Sequence, residues 1–132
     1  MKKFLLLTVI VLGFALTLAA CGGGGAPTSI KVNMTDFGYD PAVITVAAGQ
    51  EITMTITNSG AVDHEFVIFN AGEDVSVPFS EDDEAKIYWE IEVMPGETQT
   101  VTFTAPAAGE YVVSCGVAGH YEAGMIAKLI SK

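Results

Sequence analysis

Apolar and polar residues alternate with a period of two along much of this chain. Ile30, Val32 and Met34 alternate with polar neighbours. Ile52, Met54 and Ile56 alternate with Thr53, Thr55 and Thr57, and Val101 and Phe103 with Thr100, Thr102 and Thr104. A strand turns successive side chains to opposite faces, so this pattern, rich in threonine, predicts half-buried strands. Turn chemistry separates them at Ala48-Gly49, Asn58-Ser59-Gly60, Met94-Pro95-Gly96-Glu97, and Pro106 with Gly109. Pro95-Gly96 suits the two central positions of a type II turn, where proline presets φ and glycine accepts a positive one. The sequence carries no helical stripe and no internal repeat. Seven or eight short strands at this spacing predict an all-β fold, an antiparallel β-sandwich.

The rhythm breaks over residues 70–86, which hold Glu73, Asp74 and the run Glu81-Asp82-Asp83-Glu84 with few core candidates. A solvated loop or short helical excursion joining the two sheets is expected there, since charge runs are usually solvated faces. A strand resumes from Lys86 to Val93, with Tyr88 and Trp89 assigned to packing.

The first twenty residues differ in kind. Met1-Lys2-Lys3 followed by an apolar stretch over residues 4–20 has the layout of an export signal. A stretch of seventeen residues lies at the lower edge of a membrane span, so a retained anchor is the alternative. Leu18-Ala19-Ala20-Cys21 resembles a bacterial lipoprotein cleavage box, which implies that Cys21 becomes the acylated first residue. The expected organisation is a signal peptide over 1–20, a flexible Gly-rich tether over 21–28, and one domain over 29–132. The extracytoplasmic face of a bacterial membrane follows as the location, periplasmic or at the cell surface, with a lipid anchor holding it there.

Composition narrows the partners. Six Lys, no Arg and sixteen acidic residues give a formal charge of −10, and losing Lys2 and Lys3 makes it more negative still. That balance excludes nucleic acid, whose phosphates require clustered cations. With Cys21 committed to lipid, Cys115 stands alone. A Cys21–Cys115 disulfide would instead tie the leader to the far end of the fold and is disfavoured.

Cys115 carries the candidate chemistry. Cys115, His120 and Met125 follow one another at intervals of five, and the only other histidine, His64, lies in Asp63-His64-Glu65-Phe66. Two His, one free Cys and one Met form the ligand set of a blue copper site, three strong ligands in a plane and a thioether on the axis. Strand parity agrees. His64 shares a face with Phe66 and Ile68, Cys115 with Tyr111 and Val113, and Met125 with Ala127 and Leu129, so each points inward at a strand end.

The Cys-x4-His-x4-Met loop, the upstream Asp-His-Glu-Phe and the Gly-x-Tyr-x-x-x-Cys lead-in resemble the cupredoxins, with a loop spacing similar to that of rusticyanin and the auracyanins. The resemblance spans about residues 29–132. It implies a Greek-key β-sandwich binding one type 1 copper ion through His64, Cys115 and His120, with Met125 axial. One position departs from the family pattern. Many cupredoxins carry Asn after the first ligand His, and its amide helps fasten the ligand loops together; here Glu65 stands there, and an ionised carboxylate cannot donate.

The expected function is a membrane-tethered electron carrier and not an enzyme, a monomer shuttling single electrons between redox protein partners. Copper trafficking or storage is the alternative. It is disfavoured by a shortage of His and by the alternation of Met34 and Met54 as core residues. A copper enzyme would need further His for a second copper, and none remain.

Overall fold

The computed structural model describes residues 25–73, 75 and 80–132. The signal segment, Cys21 and the first part of the tether lie outside the described residues. Among the described residues nine strands form: β1 (Ser29–Thr35), β2 (Gly38–Asp40), β3 (Val43–Val46), β4 (Glu51–Asn58), β5 (His64–Phe69), β6 (Ile87–Val93), β7 (Thr98–Thr104), β8 (Gly109–Ser114) and β9 (Ile126–Ser131). They build a four-stranded sheet, β2-β1-β4-β7, and a five-stranded sheet, β3-β9-β8-β5-β6, between which the chain crosses repeatedly. The count exceeds seven or eight because the three-residue β2 and four-residue β3 are too short for a period-two signal.

The threonine strands behave as their alternation requires. In β4, Ile52, Met54 and Ile56 are buried, and Thr53, Thr55 and Thr57 face outward against the threonines of β7. Facing side chains of both sheets form one core, in which Trp89 stacks on Phe103 with ring centroids 4.8 Å apart. Burying such side chains supplies about 1.5–3 kcal/mol each. The Met94–Glu97 turn closes with a Glu97 N–H to Met94 carbonyl bond of 3.0 Å, and Gly96 takes φ +76°, as a type II turn demands.

Three expectations are corrected. The sandwich is not purely antiparallel: β1 pairs with β4, and β3 with β9, in parallel, because each partner enters its sheet from the same end. The segment after β5 does not join the two sheets, since β5 and β6 are antiparallel neighbours in one sheet. Nor is that segment only a solvated face. Val75 packs with Val67 and Phe69 on the outer side of β5, which explains why four successive residues, Phe66–Phe69, are all buried.

A 3-10 helix at Glu81–Lys86 follows, and within its charge run Asp83 is buried. The Asp83 carboxylate accepts the Ser80 N–H at 3.0 Å and the Lys86 ammonium at 2.8 Å. Lys86 ends this helix, and the strand begins one residue later.

The sandwich has two poles. At one lie the β1–β2 turn, the ends of β4, β6 and β8, and the starts of β5 and β9. At the other the chain enters the fold, where Thr53 N–H bonds the Thr28 carbonyl, Ala47 N–H the Pro27 carbonyl, and Ala48 N–H the Lys132 carbonyl.

Candidate metal centre

All four predicted residues gather at the first pole. Cys115 directly follows β8, Met125 directly precedes β9, and the loop between them is closed by its own backbone. His120 N–H bonds the Val117 carbonyl, Ala123 N–H the Gly119 carbonyl, Gly124 N–H the Tyr121 carbonyl, and Met125 N–H the His120 carbonyl, at 2.9–3.1 Å. Cys115 N–H reaches the Met125 carbonyl at 3.4 Å and closes the base of the loop. Gly119 and Gly124 take φ values of +85° and +94°, which residues with a Cβ rarely adopt.

His64 opens β5, and the segment before it is held by Asn58. The buried Asn58 amide donates to the Val62 and Val93 carbonyls at 2.8 Å, and its oxygen accepts the Gly60 N–H at 2.9 Å. One side chain thus ties the approach to His64 to the end of β6.

His64 Nδ1 lies 3.2 Å from His120 Nδ1, which lies 3.3 Å from Cys115 Sγ. These three atoms fall within 4.8 Å of one another. His64, Cys115 and Met125 are fully buried, and His120 is 7 % exposed. Cys115 is a free thiol. The donor chemistry fits a soft transition metal: two aromatic nitrogens and a sulfur turn toward one dry space, with a thioether residue bonded through its backbone to two of their residues.

Burial favours the neutral forms of Cys115 and His120. Burial pushes the Cys115 thiol above its usual range, opposed by the N–H groups of Glu65, at 3.3 Å from Sγ, and Val117. Burial also holds His120 below the usual imidazole range, with His64 adding to the effect and Asp36 opposing it. A neutral imidazole keeps a lone pair for a metal, and the two N–H groups favour a thiolate once the proton leaves.

Glu65 fastens the loops in its own way. Its carboxylate accepts the Gly116 N–H, so a bond between the two ligand-bearing segments exists with the side chain as acceptor. Tyr39 donates to the Glu65 carbonyl at 2.6 Å. Burial, then the neighbouring Glu90 and Glu92, hold the half-buried Glu65 carboxyl above its ordinary value.

Sequence reasoning missed the β1–β2 turn. Asp36 Oδ1 lies 3.2 Å from His64 Nε2, and the Phe37 ring stands against His120. Asp36 and Gly38 around an aromatic are the one turn signal there, and nothing in their spacing announces a contact with His64. Gly60 was read only as a turn residue. A Cβ there would collide with the Asp36 carboxylate and lie 2.6 Å from His64 Nε2. Tyr121 packs beside Val67 and Phe69.

Residues 8–127 match the cupredoxin-like domain family. Auracyanin-A of Chloroflexus aurantiacus is 31 % identical across 89 % of this chain and 90 % of its own. A solved structure of auracyanin A, described as a "blue" copper protein, superposes with a TM-score of 0.65 over 80 % of this chain and 99 % of that one. Reduced auracyanin from Roseiflexus castenholzii superposes at 0.70, with 33 % identity over 82 % of this chain and 99 % of that one. The copper-resistant cuproprotein CopI of Rubrivivax gelatinosus is 28 % identical across 80 % of this chain and 67 % of its own. With this sandwich and this Cys-His-Met loop, the chain belongs to the cupredoxin-like domain family.

Proposed function

We propose that this chain is a membrane-tethered blue (type 1) copper protein that carries single electrons between redox complexes. The observation that carries the reading is the convergence of two imidazole nitrogens and one sulfur in a water-excluding pocket. His64, Cys115 and His120 would hold one copper ion, with the Met125 thioether as the weak fourth donor. Bound there, copper supplies one-electron chemistry by alternating between Cu(II) and Cu(I).

The chain's own residues do the rest. Cys115 gives up its proton, and the Glu65 and Val117 N–H groups steady the resulting charge. Backbone hydrogen bonds within the 115–125 loop tie Cys115, His120 and Met125 together. Burial excludes water and substrates, and His120, at the rim, is the path to a docked partner. Both histidines of the chain belong to this one site, which leaves none for a second, catalytic copper.

The "blue" copper description of the auracyanin A structure supports this reading. Copper trafficking or storage is favoured by the likeness to CopI. Against it, Met34 and Met54 are buried in the core, out of reach of a passing ion. Acylation at Cys21 would place the domain on the extracytoplasmic face, as a monomer meeting donor and acceptor proteins.

Visible absorption and electron paramagnetic resonance of the copper-loaded protein test the site; an intense thiolate-to-copper band is expected, and a colourless Cu(II) protein would refute it. Cys21→Ser should move the protein from the membrane to the soluble fraction, because stable anchoring needs its acyl chains. Membrane retention of that variant would refute the anchor.

A further inference from the structure

His64 offers Nδ1 to the metal pocket, so its other nitrogen must be satisfied elsewhere. The ring is fully buried, and a buried ring N–H without an acceptor costs about 1–3 kcal/mol. Asp36 Oδ1 meets Nε2 at 3.2 Å, arriving from a turn 28 residues upstream. The same oxygen accepts the Ala61 N–H at 2.9 Å, which fixes the carboxylate in place from the side of the His64 segment itself. Gly60 leaves the gap through which this approach is made, since a Cβ would fill it.

We propose that Asp36 is a positioning residue of the metal centre, holding His64 as the Nε2–H tautomer and strengthening Nδ1 as an electron donor. The proposal rests on the copper reading above and adds to it a control on the oxidation state. A carboxylate bonded to the far nitrogen of a ligating imidazole orients the ring and raises its basicity. It also brings a negative charge close to the ion, which favours Cu(II) over Cu(I). His120 is held differently, by a ring edge of Phe37, so the two imidazoles are unequal donors.

Two variants separate orientation from charge. Asp36→Asn keeps an oxygen that can accept from both His64 and Ala61 and removes the charge. Asp36→Ala removes both. The tautomer of His64 is read by nitrogen-15 NMR on the metal-free protein and again with Cu(I) bound. The midpoint potential and copper affinity are measured on the loaded protein.

Wild type and Asp36→Asn should show the Nε2–H tautomer, and Asp36→Ala a mixture. Both variants should have raised midpoints; a tenfold fall in the Cu(II)/Cu(I) ratio at fixed potential corresponds to about 59 mV for one electron. Copper affinity should fall by about 10–100-fold in Asp36→Ala. A proton on Nδ1 of His64 in the metal-free wild type overturns the proposal, as do wild-type midpoints in both variants of a coloured protein. A wild type that takes up no copper refutes the copper reading instead, and the tautomer of the metal-free protein still decides for or against Asp36.

Discussion

Phe37 stands edge-on to the imidazole of His120, with ring centroids 5.3 Å apart and planes at 86°. Its backbone has φ +69°, a left-handed conformation that a bulky residue rarely adopts. The backbone strain is about 1–2 kcal/mol, and the residue is nonetheless 49 % exposed. Phe37 therefore serves the site as a cover. Phe37→Gly should change denaturant stability by less than about 1 kcal/mol, as relieved strain offsets lost contact. It should also speed electron exchange with small hydrophilic reagents. An unchanged exchange rate in stopped-flow would show that the ring covers nothing of consequence.

Cys115→Ser should abolish the intense visible band of the copper-loaded protein, because a hydroxyl cannot replace a soft thiolate. The variant should still fold, since serine is close in size and the Glu65 and Val117 N–H groups can meet its oxygen. Absorption spectroscopy checks the first point and far-ultraviolet circular dichroism the second.

Met125→Leu fills nearly the same volume and should cost less than about 1.5 kcal/mol. Copper and colour should persist while the midpoint potential rises, because loss of the axial donor disfavours Cu(II) more than Cu(I). A redox titration measures the shift, and loss of copper would give Met125 a larger part in holding the ion.

Glu65 gives the metal-free protein a pH dependence with a definite sign. Its folded-state pKa is raised, first by burial and then by Glu90 and Glu92. The stability of the protonated form is thus fully present below the ordinary value of 4.5 and is lost as pH rises through the folded value. Glu65→Gln keeps an acceptor for the Gly116 N–H without the charge. It should be the more stable protein at pH 7, by less than about 1 kcal/mol given the partial exposure. The difference should vanish below about pH 4. Denaturant titrations at the two pH values check this, and a constant difference would contradict it.

The acidic run lies at the pole away from the metal centre, between the end of β5 and the start of β6. Charges there are poorly placed to steer a partner toward His120. Neutralising Glu81, Asp82 and Glu84 while keeping the buried Asp83 should leave the rate of electron transfer and its salt dependence at wild-type values. Stopped-flow across an ionic-strength series measures both; a flattened salt dependence would assign steering to the run.

The inward aim of His64 and Cys115 was legible because alternate residues of a strand share a face, which sets His64 with Phe66 and Ile68, and Cys115 with Tyr111 and Val113. The loop spacing then added His120 and Met125. The turn carrying Asp36 and Phe37 was not legible, since contact across 28 and 83 residues leaves no trace in local spacing. Asp83 was hidden for another reason: within a charge run, a residue bonded to Ser80 and Lys86 looks the same as one facing water. The double burial of β5 involves Val75, whose partners Val67 and Phe69 only the fold supplies.

The entry of the chain at the pole opposite the metal centre fixes the geometry of reach. With Cys21 acylated, residues 21–28 extend at most about 28 Å from the lipid. The seven residues of β1 then carry the fold roughly 23 Å farther to the metal pole. So anchored, the molecule would be a short arm with its contact at the tip, sweeping a shell no more than about 50 Å above the bilayer. Standing upright it would turn His120 outward and would suit donors and acceptors whose redox groups stand well clear of the lipid. A centre lying near the headgroups is served only when the whole domain tips over, and each added tether residue would widen that choice by about 3.5 Å.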